Sequence, residues 1–168
     1  MPDSHDYEER HLRPRPAAWS GVWYDAEHAI SGNSRFENLM DSQERDRLYR
    51  KGLEAFNSGH FYEAHEHWEE VWLKTLNPEK MFLQGLIQVA AAFHHHSRAN
   101  LQGTRNLLLA GLLKLDQFPE DHGELEIENL RAAVRGWLAT IEDGDTCDAK
   151  KPPRIKRRAV PRVRSTDA

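Results

Sequence analysis

The chain has 168 residues, 39% of them hydrophobic and 30% charged, with a formal net charge of −4. That length and apolar content support one core and not two. The single cysteine, Cys147, excludes an intrachain disulfide and any zinc or iron–sulfur centre built from cysteines of one chain. Its scarcity fits a reducing cytoplasm. No stretch approaches the ~18 apolar residues of a membrane span, and the first residues, MPDSHDYEERHLRPRP, lack the apolar region of a secretory signal.

Residues 1–40 are rich in proline, glycine and charge, with Trp19, Trp23 and Tyr24 as the strong anchors, and read as a mostly irregular arm. A helical domain is expected over 41–142. Asp41 and Glu44 have capping-box spacing, and Leu48, Tyr49, Gly52, Leu53 and Phe56 recur at helical intervals, which predicts a first helix over about 42–57. Asn57-Ser58-Gly59 ends it. A second helix is predicted over about 60–76 and closed by Asn77-Pro78, which also opens the third. The third, about 79–98, is apolar nearly all round and belongs at the centre of the domain. Leu101 to Leu115 form a fourth helix. Asp121 and Glu124, again at capping-box spacing, predict a fifth over about 122–142.

After Asp143 periodicity disappears. Residues 145–168 carry eight of the 23 basic residues against three acids, leaving the rest of the chain near −9. A disordered basic tail over 143–168 is expected, and an acidic domain with a basic tail makes nucleic acid an unlikely partner except through that tail.

Shifting the chain by 40 residues aligns Gly59, Phe61, Ala64, Trp68 and Trp72 with Ala99, Leu101, Thr104, Leu108 and Leu112. The spacing of Gly52, Gly59, Ala64, Trp68, Val71 and Pro78 also resembles a tetratricopeptide unit. Together these predict an all-α, compact multi-helix bundle of two tetratricopeptide-like hairpins plus a C-terminal capping helix.

A polar site is legible inside this apolar pattern. In HFYEAHEHWEEVW, residues 60–72, the apolar side chains sweep an arc of about 200°, and His65 and Glu69 fall within it one turn apart. Glu66 lies at its rim. On the third helix Gln84, Gln88 and His95 fall within about 40° of one another among Leu, Ile, Val, Phe and Ala. Antiparallel packing would bring His65 and Glu69 against Gln84, Gln88 and His95. Buried polar groups of this kind need partners, since each unpaired one costs roughly 1–3 kcal/mol.

Three readings follow. The cluster could be a hydrogen-bond network that holds helix register. It could be a pocket for a small polar ligand or a divalent metal, with His65, Glu69 and His95 as metal ligands. It could serve a hydrolase, metal-dependent or with Glu66 or Glu69 as general base, although the helix carries HExxE where zinc proteases have HExxH. The run His94-His95-His96 cannot chelate jointly, because successive helical positions point about 100° apart. Of these only His95 lies on the seam; His94, beside Ile87, reads as a core histidine. A small ligand or a protein is the expected partner, and no membrane is.

FYEAHEHWEEVW followed by FLQGLIQVAAAFHHHSRANLQGTRNLLLAGLLKL resembles the family called domain of unknown function 309, over about residues 48–115. The resemblance rests on an EAHE-containing helix, the FLQGLIQ stretch, a following histidine pair and a small-residue turn. His65, Glu66, Glu69, Gln84, Gly85, Gln88, His95 and His96 occupy those positions. It implies an all-helical intracellular domain with no agreed activity. The chain departs from the pattern at Ala99, where the family often has glycine, and at Thr104, where it often has alanine.

Overall fold

The computed structural model describes residues 40–120, 122–145, 147 and 150–158. They contain five helices: α1 (Ser42–Asn57), α2 (Phe61–Leu73), α3 (Glu79–Ser97), α4 (Leu101–Leu115) and α5 (Ile127–Glu142). Apart from Met40, the arm expected over 1–40 lies outside the described residues. None of the described helices is long and apolar enough to cross a membrane.

Each helix packs on the next in the chain, so α1/α2 and α3/α4 form two stacked hairpins and α5 covers the second. The apolar stripes explain the order. α3, the central helix, buries both Phe82–Leu83 and Leu86–Ile87 and, at its far end, Phe93. The Phe93 ring meets Phe56 of α1, Phe61 of α2 and Trp137 of α5 with centroids 6.0, 5.4 and 5.1 Å apart, edge-on or tilted as aromatic pairs prefer. Trp68 lies flat against Gly52: a Cβ there would stand 2.4 Å from the indole Nε1. The same Nε1 donates to the Tyr49 carbonyl at 3.1 Å, which fixes α2 on α1.

Three helices end alike. After α1 the amide of Gly59 bonds the Phe56 carbonyl and that of His60 the Ala55 carbonyl; after α3, Ala99 and Asn100 bond His96 and His95; after α5, Gly144 and Asp145 bond Ile141 and Thr140. Each is a Schellman ending, whose turning residue sits at positive φ: 84° for Gly59, 57° for Ala99 and 84° for Gly144. Arg131 closes the remaining helix of the second hairpin. Its buried guanidinium donates to the Leu115 carbonyl at 2.5 Å, which also accepts from the Phe118 amide at 3.1 Å, and to the Phe118 carbonyl beyond the end of α4.

The helix starts depart from the capping expectations. Asp41 is the residue before α1, but its side chain makes no cap bond, and the Glu44 carboxylate is taken by Arg47 at 2.7 Å. α2 stops at Leu73, and α3 begins after Pro78 in place of Asn77. α5 begins at Ile127, later than expected, because residues 124–126 are extended: Leu125 forms an antiparallel bridge with Arg157, the Glu126 amide bonds the Lys156 carbonyl at 2.9 Å, and the Arg158 amide bonds the Glu124 carbonyl at 2.6 Å. Asp121 lies outside the described residues.

That bridge also departs, within the described residues, from the disorder expected over 143–168; residues 159–168 lie outside them. Residues 150–158 form an extended strap across the bundle. The Asn57 amide grips it at both backbone groups of Ile155, donating to the carbonyl at 2.9 Å and accepting from the N–H at 2.8 Å, as a neighbouring strand would. Ile155 is 2% exposed. Lys150 Nζ donates to the Gly136 carbonyl at 2.6 Å and to Thr140 Oγ1 at 2.7 Å, and Arg157 pairs with Glu124. Pro152 and Pro153 limit the strap to extended backbone.

Candidate functional site

α2 carries two sides of chemistry. Its apolar stripe, Ala64, Trp68 and Val71, fixes the helix against the core, and the same stripe drags His65 inward to 4% exposure. Glu69, one turn later, keeps 36% of its side chain exposed, with Oε2 3.9 Å from His65 Nδ1. Glu66 points to solvent. Burial, then the neighbouring His94, push the His65 imidazole down to about 4, so it is neutral at neutral pH. Burial, then the Glu66 carboxylate, push Glu69 up. At 3.9 Å the neutral ring and the carboxylate stand beyond hydrogen-bond distance of each other.

The surroundings of His65 differ from the expected seam. Tyr62 stacks on its ring at 6.4 Å and tilts against His94 at 5.5 Å, joining α2 to α3 through aromatic faces. His94, expected as a core residue, is half-buried and belongs to this cluster, and burial, then Arg98 and His95, lower its pKa. The signal for it was available: Ile87, Ala91 and His94 form one i, i+4, i+7 row of α3.

His95 turns instead to α4. The Asn100 side chain accepts from the Gly103 amide at 2.9 Å, capping α4, and this bond orients its amide so that Nδ2 faces His95 Nδ1 at 2.9 Å. His95 Nδ1 therefore accepts, and its proton sits on Nε2. Burial, then Arg98, lower the His95 pKa, in keeping with that tautomer. His96 packs its ring on Trp137 at 4.9 Å.

Gln84 is half-buried and Gln88 5% exposed. Gln88 leaves α3 beside Gly111 of α4, whose added Cβ would stand 3.4 Å from Gln88 Cβ. Its Oε1 is enclosed and has no hydrogen-bond partner among the described residues, and the same holds for Trp72 Nε1, whose ring carries Lys80 Nζ 4.2 Å from its centroid. The five expected residues thus split. His65 meets Glu69 and, through Tyr62, the His94 ring, Gln88 and His95 border α4, and Gln84 lies half-buried on α3. The trio His65, Glu69 and His95 is not gathered, and among the described residues no group of three or more His, Cys, Asp and Glu could hold a metal ion.

Hairpin stacking and a histidine-rich seam along the central helix define a helical-hairpin domain with polar groups enclosed between apolar faces. Residues 49–107 match the family model described as Domain of unknown function (DUF309), and this segment belongs to that family. The match takes in His65, Glu69, Gln84, Gln88 and His95 and leaves out α5 and the strap. A curated relative labelled "Uncharacterized protein", from Aquifex aeolicus (strain VF5), is 31% identical over 121 residues, 71% of this chain. The chain spans 34% of that relative's length.

Proposed function

We propose that this domain is a binding module for a small ligand that donates hydrogen bonds, received along α3 between α2 and α4. Gln88 carries the reading. Its carbonyl oxygen is enclosed without a donor among the described residues, a state that costs about 1–3 kcal/mol unless something further supplies the missing N–H or O–H. Ligand amines, amides or hydroxyls have that chemistry. Glu69, half-exposed and with its carboxyl pushed up by burial, offers a second acceptor on the α2 side of α3, beside a His65 that is neutral at neutral pH. The cytoplasm is the compartment proposed, on the single cysteine and the absence it implies of a disulfide within the chain.

The test is thermal unfolding of the full chain against amines, amides, polyols and divalent metal salts. A ligand specific for the native state raises Tm with its concentration. The expected hit carries N–H or O–H groups, stabilises the wild type, and loses its effect in Gln88→Met. A response to metal salts alone, unaltered in Gln88→Met, contradicts the proposal.

A further inference from the structure

A cleft of about 330 Å³ opens between α1, the α2–α3 turn and the segment before α5, and none of His65, Glu69, Gln84, Gln88 and His95 lines it. That is the low end of small-molecule pockets. Its floor is apolar: Val71, Phe82 and Leu83, each at most 5% exposed. Its rim is charged, and most of the rim is spoken for. Arg45 lies 3.9 Å from Asp46, Thr75 Oγ1 donates to the Val71 carbonyl at 2.7 Å, Glu79 meets His122 at 3.2 Å, and Glu124 pairs with Arg157.

Two rim groups have no acceptor among the described residues, the guanidinium of Arg50 and the hydroxyl of Tyr49. Both are donors. Burial, then the Glu124 and Glu79 carboxylates, push the Tyr49 phenol up, which keeps its proton in place. Both residues line the same cleft, and donors over a hydrocarbon floor are complementary to a carboxylate attached to an apolar body, since a guanidinium binds a carboxylate through paired, charge-assisted bonds. Asp46, Glu79 and Glu124 on the same rim disfavour a second negative charge.

We propose that this cleft binds an organic monocarboxylate, with Arg50 and Tyr49 holding the carboxylate and the ring or chain lying on Val71, Phe82 and Leu83. The site is independent of the seam on α3.

Amide NMR of the full chain titrated with phenylacetate tests it, with phenylacetamide as the uncharged isostere and N-acetylglycylphenylalanine as a peptide C terminus. Phenylacetate is expected to shift the amides of Arg50, Thr75 and Phe82 saturably, with phenylacetamide at least about tenfold weaker. Arg50→Gln, at an exposed position, should weaken phenylacetate by a similar factor and leave phenylacetamide unchanged. Tighter binding of the peptide assigns the carboxylate to a chain terminus, and tighter binding of phenylacetate to a free acid. Equal affinity for acid and amide, indifference to Arg50→Gln, shifts centred on His65 in place of the cleft, or no saturation by either carboxylate up to about 10 mM would overturn the proposal.

Discussion

Gly59 and Ala99 occupy the same place in successive hairpins: each is the left-handed residue that ends one helix two positions before the next begins, with φ of 84° and 57°. Nine residues further on, Trp68 and Leu108 are both fully buried. The 40-residue offset is therefore a repeat of geometry as well as of residue type. The two turns differ in what they ask of their residue, because the Cβ of Ala99 crowds the backbone where Gly59 has none.

Ala99→Gly should stabilise the domain by about 0.5–1 kcal/mol, and Gly59→Ala should destabilise it by about 1–2 kcal/mol. Urea unfolding reads both as shifts of midpoint at constant slope. Ala99→Gly without gain would mean that the Ala99 turn carries no strain.

Stability should fall on mild acidification because of His65. The unfolded chain takes up a proton near the ordinary histidine value of 6.5, whereas the folded imidazole resists until about 4. Between those values the unfolded state binds more protons, so stability present above 6.5 is lost as pH falls, reaching a loss of about 3 kcal/mol below 4. His94 and His95, also lowered, act in the same direction. Glu69, raised, acts in the opposite one. Unfolding free energies at pH 7 and 5 should converge for His65→Leu relative to the wild type; parallel pH profiles would remove His65 from the account.

Asn57→Ala should release the strap. Loss of both bonds to Ile155 weakens a segment held by few other groups, by about 1–3 kcal/mol. Trypsin should then cut after Arg154 and Lys156 at least about tenfold faster, while circular dichroism of the five helices stays unchanged. Equal cleavage rates would mean that Lys150 and Arg157 alone hold the strap.

The bundle was legible where periodicity is long. α1 and α4 coincide with their expected spans because an apolar stripe runs through each from end to end, and Gly59 and Asn100 mark their boundaries. The strap was not legible, since a segment buried through Ile155 alone has no pattern to read. The late start of α5 follows from the same strap, which draws Leu125 into an extended bridge that no local capping rule anticipates. At the site, burial of His65 and Gln88 was readable from the helical arcs. What they face was not. A wheel gives direction and not the identity of the neighbouring helix, so His94 was misplaced and the reach of His95 to Asn100 was missed.

The central claim is that the seam on α3 is kept for a ligand and does not hold the helices together. Its most direct test is the unfolding free energy of Gln88→Met in the absence of ligand. Methionine matches the length of glutamine and needs no hydrogen bond. An Oε1 without a partner in the fold predicts a variant as stable as the wild type or more so, by up to about 1–3 kcal/mol. A loss of more than about 1 kcal/mol would show that Gln88 is bonded within the protein, and the seam would be a structural network.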